Sequence, residues 1–84
     1  MTNEELPKEV LEILNGRQPK EVAIKGIYKN YRGETSLRTI IPLEFHYGLT
    51  EYHKEEQWLM KVWDLDKNAF RDYALKDWKG SPEN

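Results

Sequence analysis

From Gln57 to Leu75 the sequence reads as a single β-hairpin, and that stretch constrains the fold more than any other. Its first run, Gln57-Trp58-Leu59-Met60-Lys61-Val62-Trp63, is aromatic and aliphatic; Ala69-Phe70-Arg71-Asp72-Tyr73-Ala74-Leu75 repeats the pattern at lower intensity. Between them, Asp64-Leu65-Asp66-Lys67-Asn68 carries the Asp and Asn side chains that bond the backbone of their own turns. The hairpin predicts the middle of a small curved sheet, with the polar residues at its rim deciding what the chain binds.

The residues before the hairpin supply the remaining elements. Pro7 suits a first helical turn, where its missing N–H is not needed. Val10, Leu11, Ile13 and Leu14 give an apolar face that stops at Asn15-Gly16, so a short helix is expected to cover one end or face of the sheet. Arg17-Gln18-Pro19 reads as a linker. Residues 21–30 read as a strand whose apolar period shifts at Gly26, which predicts a bulge or bend there. Tyr31-Arg32-Gly33-Glu34 reads as a turn. Residues 35–41 form the next strand, Pro42 predicts an edge or corner, and 43–47 alternates again. Residues 48–56 are the least regular stretch and are expected to form a loop. Trp78 is expected to fold back as a plug after one terminal turn.

The 84 residues form one expected domain, with helix and linker over 1–19, strands over 20–78 and a flexible tail over 79–84. The fold class is mainly β (small α+β): one N-terminal helix, then a 4–5-stranded antiparallel SH3/Sm-like curved sheet or barrel. An α+β domain with an open four-stranded sheet is the alternative. A chain this short buries only about two-thirds or less of its unfolded surface, so an aromatic content of 12% matters: a few large rings must fill a small core.

Charge and composition narrow the function classes. The net charge is −2, which argues against an unspecific coat on duplex DNA. Residues 17–38 nonetheless carry Arg17, Lys20, Lys25, Lys29, Arg32 and Arg38 against Glu21 and Glu34, a basic middle able to make a local anion-binding surface. Cysteine is absent, which excludes disulfides and thiolate metal sites and fits a cytoplasmic setting. No apolar run approaches the roughly 18 residues of a membrane helix, and no signal peptide is visible.

Residues 22–78 resemble the WYL domain, a small Sm-like barrel of bacterial transcription regulators. The resemblance is carried by Tyr28, Asn30 and Gly33-Glu34, then by Ser36-Leu37-Arg38-Thr39-Ile40-Ile41-Pro42-Leu43. It continues through Asp64 and Asp66 to the closing stretch Arg71-Asp72-Tyr73-Ala74-Leu75-Lys76-Asp77-Trp78. The namesake Trp-Tyr-Leu triplet stands here as Gln57-Trp58-Leu59. The resemblance implies a ligand sensor that binds a nucleotide or single-stranded nucleic acid. Only one helix precedes the strands, so the promoter-binding helix-turn-helix of those regulators is not expected here.

Arg32, Arg38 and Arg71 are the leading candidates for binding, because the guanidinium fork fits phosphate oxygens and stacks on bases. Tyr28 and His46 are expected to assist. The bland alternative is that Arg38 and Arg71 pair with carboxylates on neighbouring strands and only hold the sheet together. Tyr28, Tyr31, Tyr47, Tyr52 and Trp58 could stack on bases, although Trp58, beside Leu59 and Met60, is expected in the core. Trp63 and Trp78 are expected at core or interface positions. His46 and His53, with Glu44, Glu51 and Glu55, lack metal-ligand spacing, and no metal or cofactor is expected. No hydroxyl stands in a recognisable triad and no glycine-rich phosphate loop opens a helix, so no catalytic residue is assigned. The expected function is a non-enzymatic WYL-like binding module acting as a regulatory sensor or sequestering protein. Its alternatives are a protein–protein interaction or homo-oligomerisation module and, behind that, a small hydrolase.

Overall fold

The computed structural model describes residues 6–50 and 53–80. Two short helices, α1 (Lys8–Leu14) and α2 (Pro19–Val22), precede a five-stranded antiparallel sheet. Its strands are β1 (Ile24–Lys29), β2 (Thr35–Thr50), β3 (His53–Asp64), β4 (Ala69–Ala74) and β5 (Trp78–Gly80), in the order β4-β3-β2-β1-β5. The first four strands meander. A 3-10 turn, Leu75–Asp77, then carries the chain across to the outer edge of β1.

Helix α1 ends where the sequence places its stop. Asn15 adopts the left-handed conformation and Gly16 follows at φ 85°. Arg17 Nε and Nη2 donate to the carbonyls of Leu14 (2.8 Å) and Ile13 (2.9 Å), which the helix itself cannot satisfy. The expected linker at 17–19 gives way at Pro19 to α2, whose start is fixed by the Gln18 N–H donating to Glu21 Oε2 at 2.6 Å.

Both faces of the sheet are packed, because neighbouring strand residues point to opposite sides. Ile41 and Trp63 meet Leu6, Val10 and Leu14 of the helical segment on one face. On the other, Ile40, Met60 and Val62 pack with Tyr28 and Tyr73. The second cluster shows how far the sheet curls. In a flat sheet β1 and β4 would lie roughly 14 Å apart, at about 4.8 Å per strand. Here the rings of Tyr28 and Tyr73 stack at 3.9 Å with an interplanar angle of 11°, and the Ala74 N–H donates to Tyr28 Oη at 3.0 Å.

Several local expectations are corrected. Gly26 makes no bulge: β1 pairs with β2 without interruption from Ile24↔Ile40 to Lys29↔Thr35. The glycine is there for close approach, since a Cβ would stand 2.5 Å from the Lys79 carbonyl oxygen and 2.7 Å from Cη2 of Trp78. Pro42 does not end its strand. β1 pairing stops at Ile40, so the proline occupies an edge where no N–H is required, and the register shifts beside it, between Pro42 and Glu44. Within the expected loop at 48–56, β2 runs on to Thr50 and β3 begins at His53. Lys79 and Gly80, expected in the tail, pair with Ile27 and Gly26 in β5. Trp58, expected in the core, is 57% exposed. Trp63 is buried, and Trp78 packs over Gly26 and leans on Tyr73 at 5.9 Å. Among the described residues no helix is long and apolar enough to cross a membrane.

Replacing Gly26 by alanine should therefore destabilise the fold by about 1–3 kcal/mol, the usual cost of overpacking. Guanidinium denaturation followed by tryptophan fluorescence would measure it, and an unchanged midpoint would refute the close-approach account.

Candidate functional site

The turn between β3 and β4 is organised by one carboxylate. Asp64, 1% exposed, accepts on Oδ1 from the N–H groups of Asp66 (2.9 Å) and Lys67 (3.2 Å). This is the local Asp chemistry that favours a turn at 64–68, and Asn68 completes it at φ 51°. Oδ2 accepts from the Tyr73 hydroxyl at 2.8 Å and faces Arg38 Nη1 at 3.7 Å. The turn is also laced to β2, with the Thr39 N–H donating to Asp66 Oδ2 (3.1 Å) and the Leu65 N–H to the Thr39 carbonyl (3.0 Å).

Around this hub lies a groove of about 890 Å³. Four consecutive β4 residues, Phe70 to Tyr73, line it, so it wraps both faces of that edge strand. On the face of the tyrosine stack its wall holds Tyr28, Arg38, Asp64, Lys67, Arg71 and Tyr73, with Asn30 and Tyr31 beyond them. On the opposite face stand Glu44, His46, Lys61 and Asp72.

The five sequence-derived candidates are thus only partly brought together. Arg38 and Arg71 share one face, since Ile40 pairs with Asp64 and Arg71 with Val62 on the same side of the sheet. Arg38 is committed to Asp64, with its side chain 19% exposed and its Nε buried without a hydrogen-bond partner. Arg71 is exposed, donates from Nη1 only to the Phe70 carbonyl (3.0 Å), and has no ion-pair partner among the described residues. Tyr28 is buried by the stack, and its hydroxyl accepts from Ala74. His46 stands on the far face, its Nε2 3.1 Å from Asp72 Oδ1. Arg32 lies outside this groove, in a shallower second one shared with Lys29, Lys54 and Lys76; its Nε donates to Tyr31 Oη at 3.2 Å.

Sequence reasoning missed Lys67. It lies in the groove wall and forms no ion pair among the described residues. Its place in an Asp-rich turn reads as loop solvation, and that it lines the same groove as Arg71 shows only in the fold. Lys61 is occupied otherwise: its Nζ meets Glu9 Oε1 at 3.0 Å and lies 5.0 Å from the Phe70 ring centroid, tying α1 to β3. Among the described residues no group of three or more His, Asp or Glu could hold a metal ion. Glu51 and the side chain of His53 lie outside them.

Burial raises the phenol of Tyr73 above its ordinary value near 10, and the neighbouring Asp64 carboxylate raises it further. Burial likewise raises Tyr28, with the Ala74 hydrogen bond opposing. No protein-family model matches the chain, and no curated protein or solved structure shows significant similarity to it.

Two predictions follow from the hub. Asp64→Asn leaves Arg38 facing no charge in a largely buried position and should lower stability by about 3 kcal/mol, part of which Arg38→Met should restore in a double-mutant cycle. The second concerns alkali. A raised folded-state value means the stabilisation from neutral Tyr73 is intact below pH about 10 and is lost as pH climbs above it, because the unfolded phenol ionises first. The denaturation midpoint of Tyr73→Phe should fall less steeply than that of the wild type above that pH; parallel profiles would contradict the assignment.

Proposed function

We propose that this chain is a non-enzymatic, WYL-like binding module that takes a nucleotide or a short single-stranded nucleic acid in the groove along β4. The observation that carries the reading is Arg71: an exposed guanidinium, with no carboxylate partner among the described residues, on the same face as the partly buried Arg38 and its buried partner Asp64. A planar fork with free donors is suited to phosphate oxygens, and Lys67 in the same wall adds a second positive charge. Tyr31, 54% exposed at the end of this wall, offers a ring face for a base. The Arg38–Asp64–Tyr73 cluster would hold the wall rigid rather than contact the ligand. Arg32, whose guanidinium stands 5.6 Å from the Tyr31 ring centroid, would meet a ligand that reaches this end of the wall.

A sheet curled until β1 meets β4, with β5 returning to the β1 edge, fits a small barrel of SH3/Sm type. In that frame the module would act as a cytoplasmic sensor or sequestering protein: a sensor passes occupancy to a partner, whereas sequestration needs only affinity.

The test is titration of the full chain with labelled oligothymidylate, mononucleotides and cyclic dinucleotides at low and moderate salt. Binding should weaken as salt rises, and Arg71→Ala should cost about tenfold in affinity while leaving thermal stability unchanged. If no probe binds at low salt, or Arg71→Ala binds as well as wild type, the groove is not a nucleotide site.

A further inference from the structure

We propose that the second groove is a track for a phosphodiester backbone, so that the ligand of this chain is a single-stranded oligonucleotide crossing both grooves rather than a single nucleotide. The inference rests on the reading of the β4 groove as a nucleotide site, and it extends that site over a stretch of surface the reading leaves unused.

The second groove has a volume of about 570 Å³ and is assembled from three separate parts of the chain. The end of β1 and the turn after it contribute Lys29 and Arg32, the start of β3 contributes Lys54, and the 3-10 turn contributes Lys76. These four residues are exposed, and none forms an ion pair among the described residues. Glu55 and Asp77 are the carboxylates that oppose them in the same wall. The chain as a whole carries a net charge of −2, so a wall of this composition marks a segregated positive field, the footprint of a polyanion site.

The two grooves are continuous, because Asn30 and Tyr31 line both. The turn that carries them is tightly bonded. Asn30 Oδ1 accepts from the N–H groups of Arg32 (2.9 Å) and Glu34 (3.0 Å), and the Asn30 N–H donates to the Glu34 carbonyl (2.8 Å). Arg32 stands beside the Tyr31 ring, its Nε 3.2 Å from Oη and its guanidinium 5.6 Å from the centroid. A base stacked on that ring sets its phosphate beside Arg32 and sends the following phosphates toward Lys29, Lys54 and Lys76. An aromatic ring next to a cationic groove is how single strands are held. An acidic peptide would meet the same cations but has no base to lay on Tyr31. From Arg71 and Lys67 at one end to Lys76 at the other, the path stays within the 36 Å long dimension of the molecule. That leaves room for about four to six nucleotides, the low end of the site sizes of small single-strand-binding domains.

Fluorescence anisotropy of the full chain with labelled oligothymidylates and oligouridylates of about two to ten nucleotides, at several salt concentrations, tests this. Affinity should climb about a hundredfold from dinucleotide to hexanucleotide and then level off, and the log–log salt dependence should steepen by about 0.7 for each added phosphate contact. The double variant Lys29→Ala/Lys76→Ala, at two exposed positions, should lower hexanucleotide affinity about tenfold and flatten its salt slope by about 1.4. Its dinucleotide binding and circular dichroism spectrum should match the wild type. A rise with length no greater than the few-fold that extra registers supply overturns the track, as does a lysine pair without effect on the hexanucleotide. If Arg71→Ala still weakens dinucleotide binding, the β4 groove reading survives that failure. Loss confined to the lysine pair, with Arg71→Ala silent, is the failure of the β4 reading instead and overturns the crossing. Equal displacement by an oligoglutamate of matched charge overturns the nucleic-acid assignment.

Discussion

The buried carboxylate of Asp64 is the constraint on which the remaining structure depends. An isolated charge in that position would be strongly unfavourable, and Asp64 is met by three hydrogen bonds, from two turn amides and a phenol, and by a guanidinium at ion-pair distance. Each of these partners belongs to a different structural task. The amides define the reversal between β3 and β4. The phenol of Tyr73 sets the ring that stacks on Tyr28 and draws β1 toward β4. The guanidinium of Arg38 anchors β2 to the same point. One side chain thus couples the β3–β4 turn, the curl of the sheet and the wall of the groove.

That curl explains how so small a chain acquires two packed faces. Ile40 and Ile41 are adjacent in sequence and both fully buried, one under the tyrosine stack and one under α1. A flat sheet of this length would leave one of the two faces in water. Curling closes one face on itself, and a helix of only seven residues suffices for the other. The exposed ion pair between Lys61 and Glu9 adds little energy to that contact but orients the helix over β3.

Much of this was legible in the residues. The hairpin and its Asp/Asn turn, the short helix, and the fifth strand's tryptophan folding back all follow from local chemistry. What was not legible depends on neighbours far away in the chain. Trp58 has the same immediate context as a core residue, but the pairing of β4 ends opposite Leu59, and the ring is left more than half exposed with the Tyr47 ring at its edge. Pro42 reads as an edge or a corner, and only the end of β1 pairing at Ile40 decides for the edge. Strand alternation alone would put His46 on the face of Arg38, eight residues earlier in β2; the register shift after Pro42 turns it to the opposite face, and that shift leaves no mark in the sequence. Arg32 sits across the Asn30–Glu34 turn, whose geometry is set by Asn30 Oδ1 accepting from the N–H groups of Arg32 and Glu34, and that turn diverts it to a different groove.

The bond between Ala74 and Tyr28 spans 46 residues and has a consequence for synthesis. In a chain made from its N-terminus, the residues of α1, β1 and β2 are all synthesised before Tyr73, Ala74 and Trp78. Until they emerge, Tyr28 has no ring to stack on, and the outer edge of β1 has no fifth strand. Closure is then a late, long-range event, and the nascent sheet passes through a stage with its apolar inner face and a pairing edge open to other chains. The order of residues therefore sets a window of vulnerability that the finished fold no longer shows.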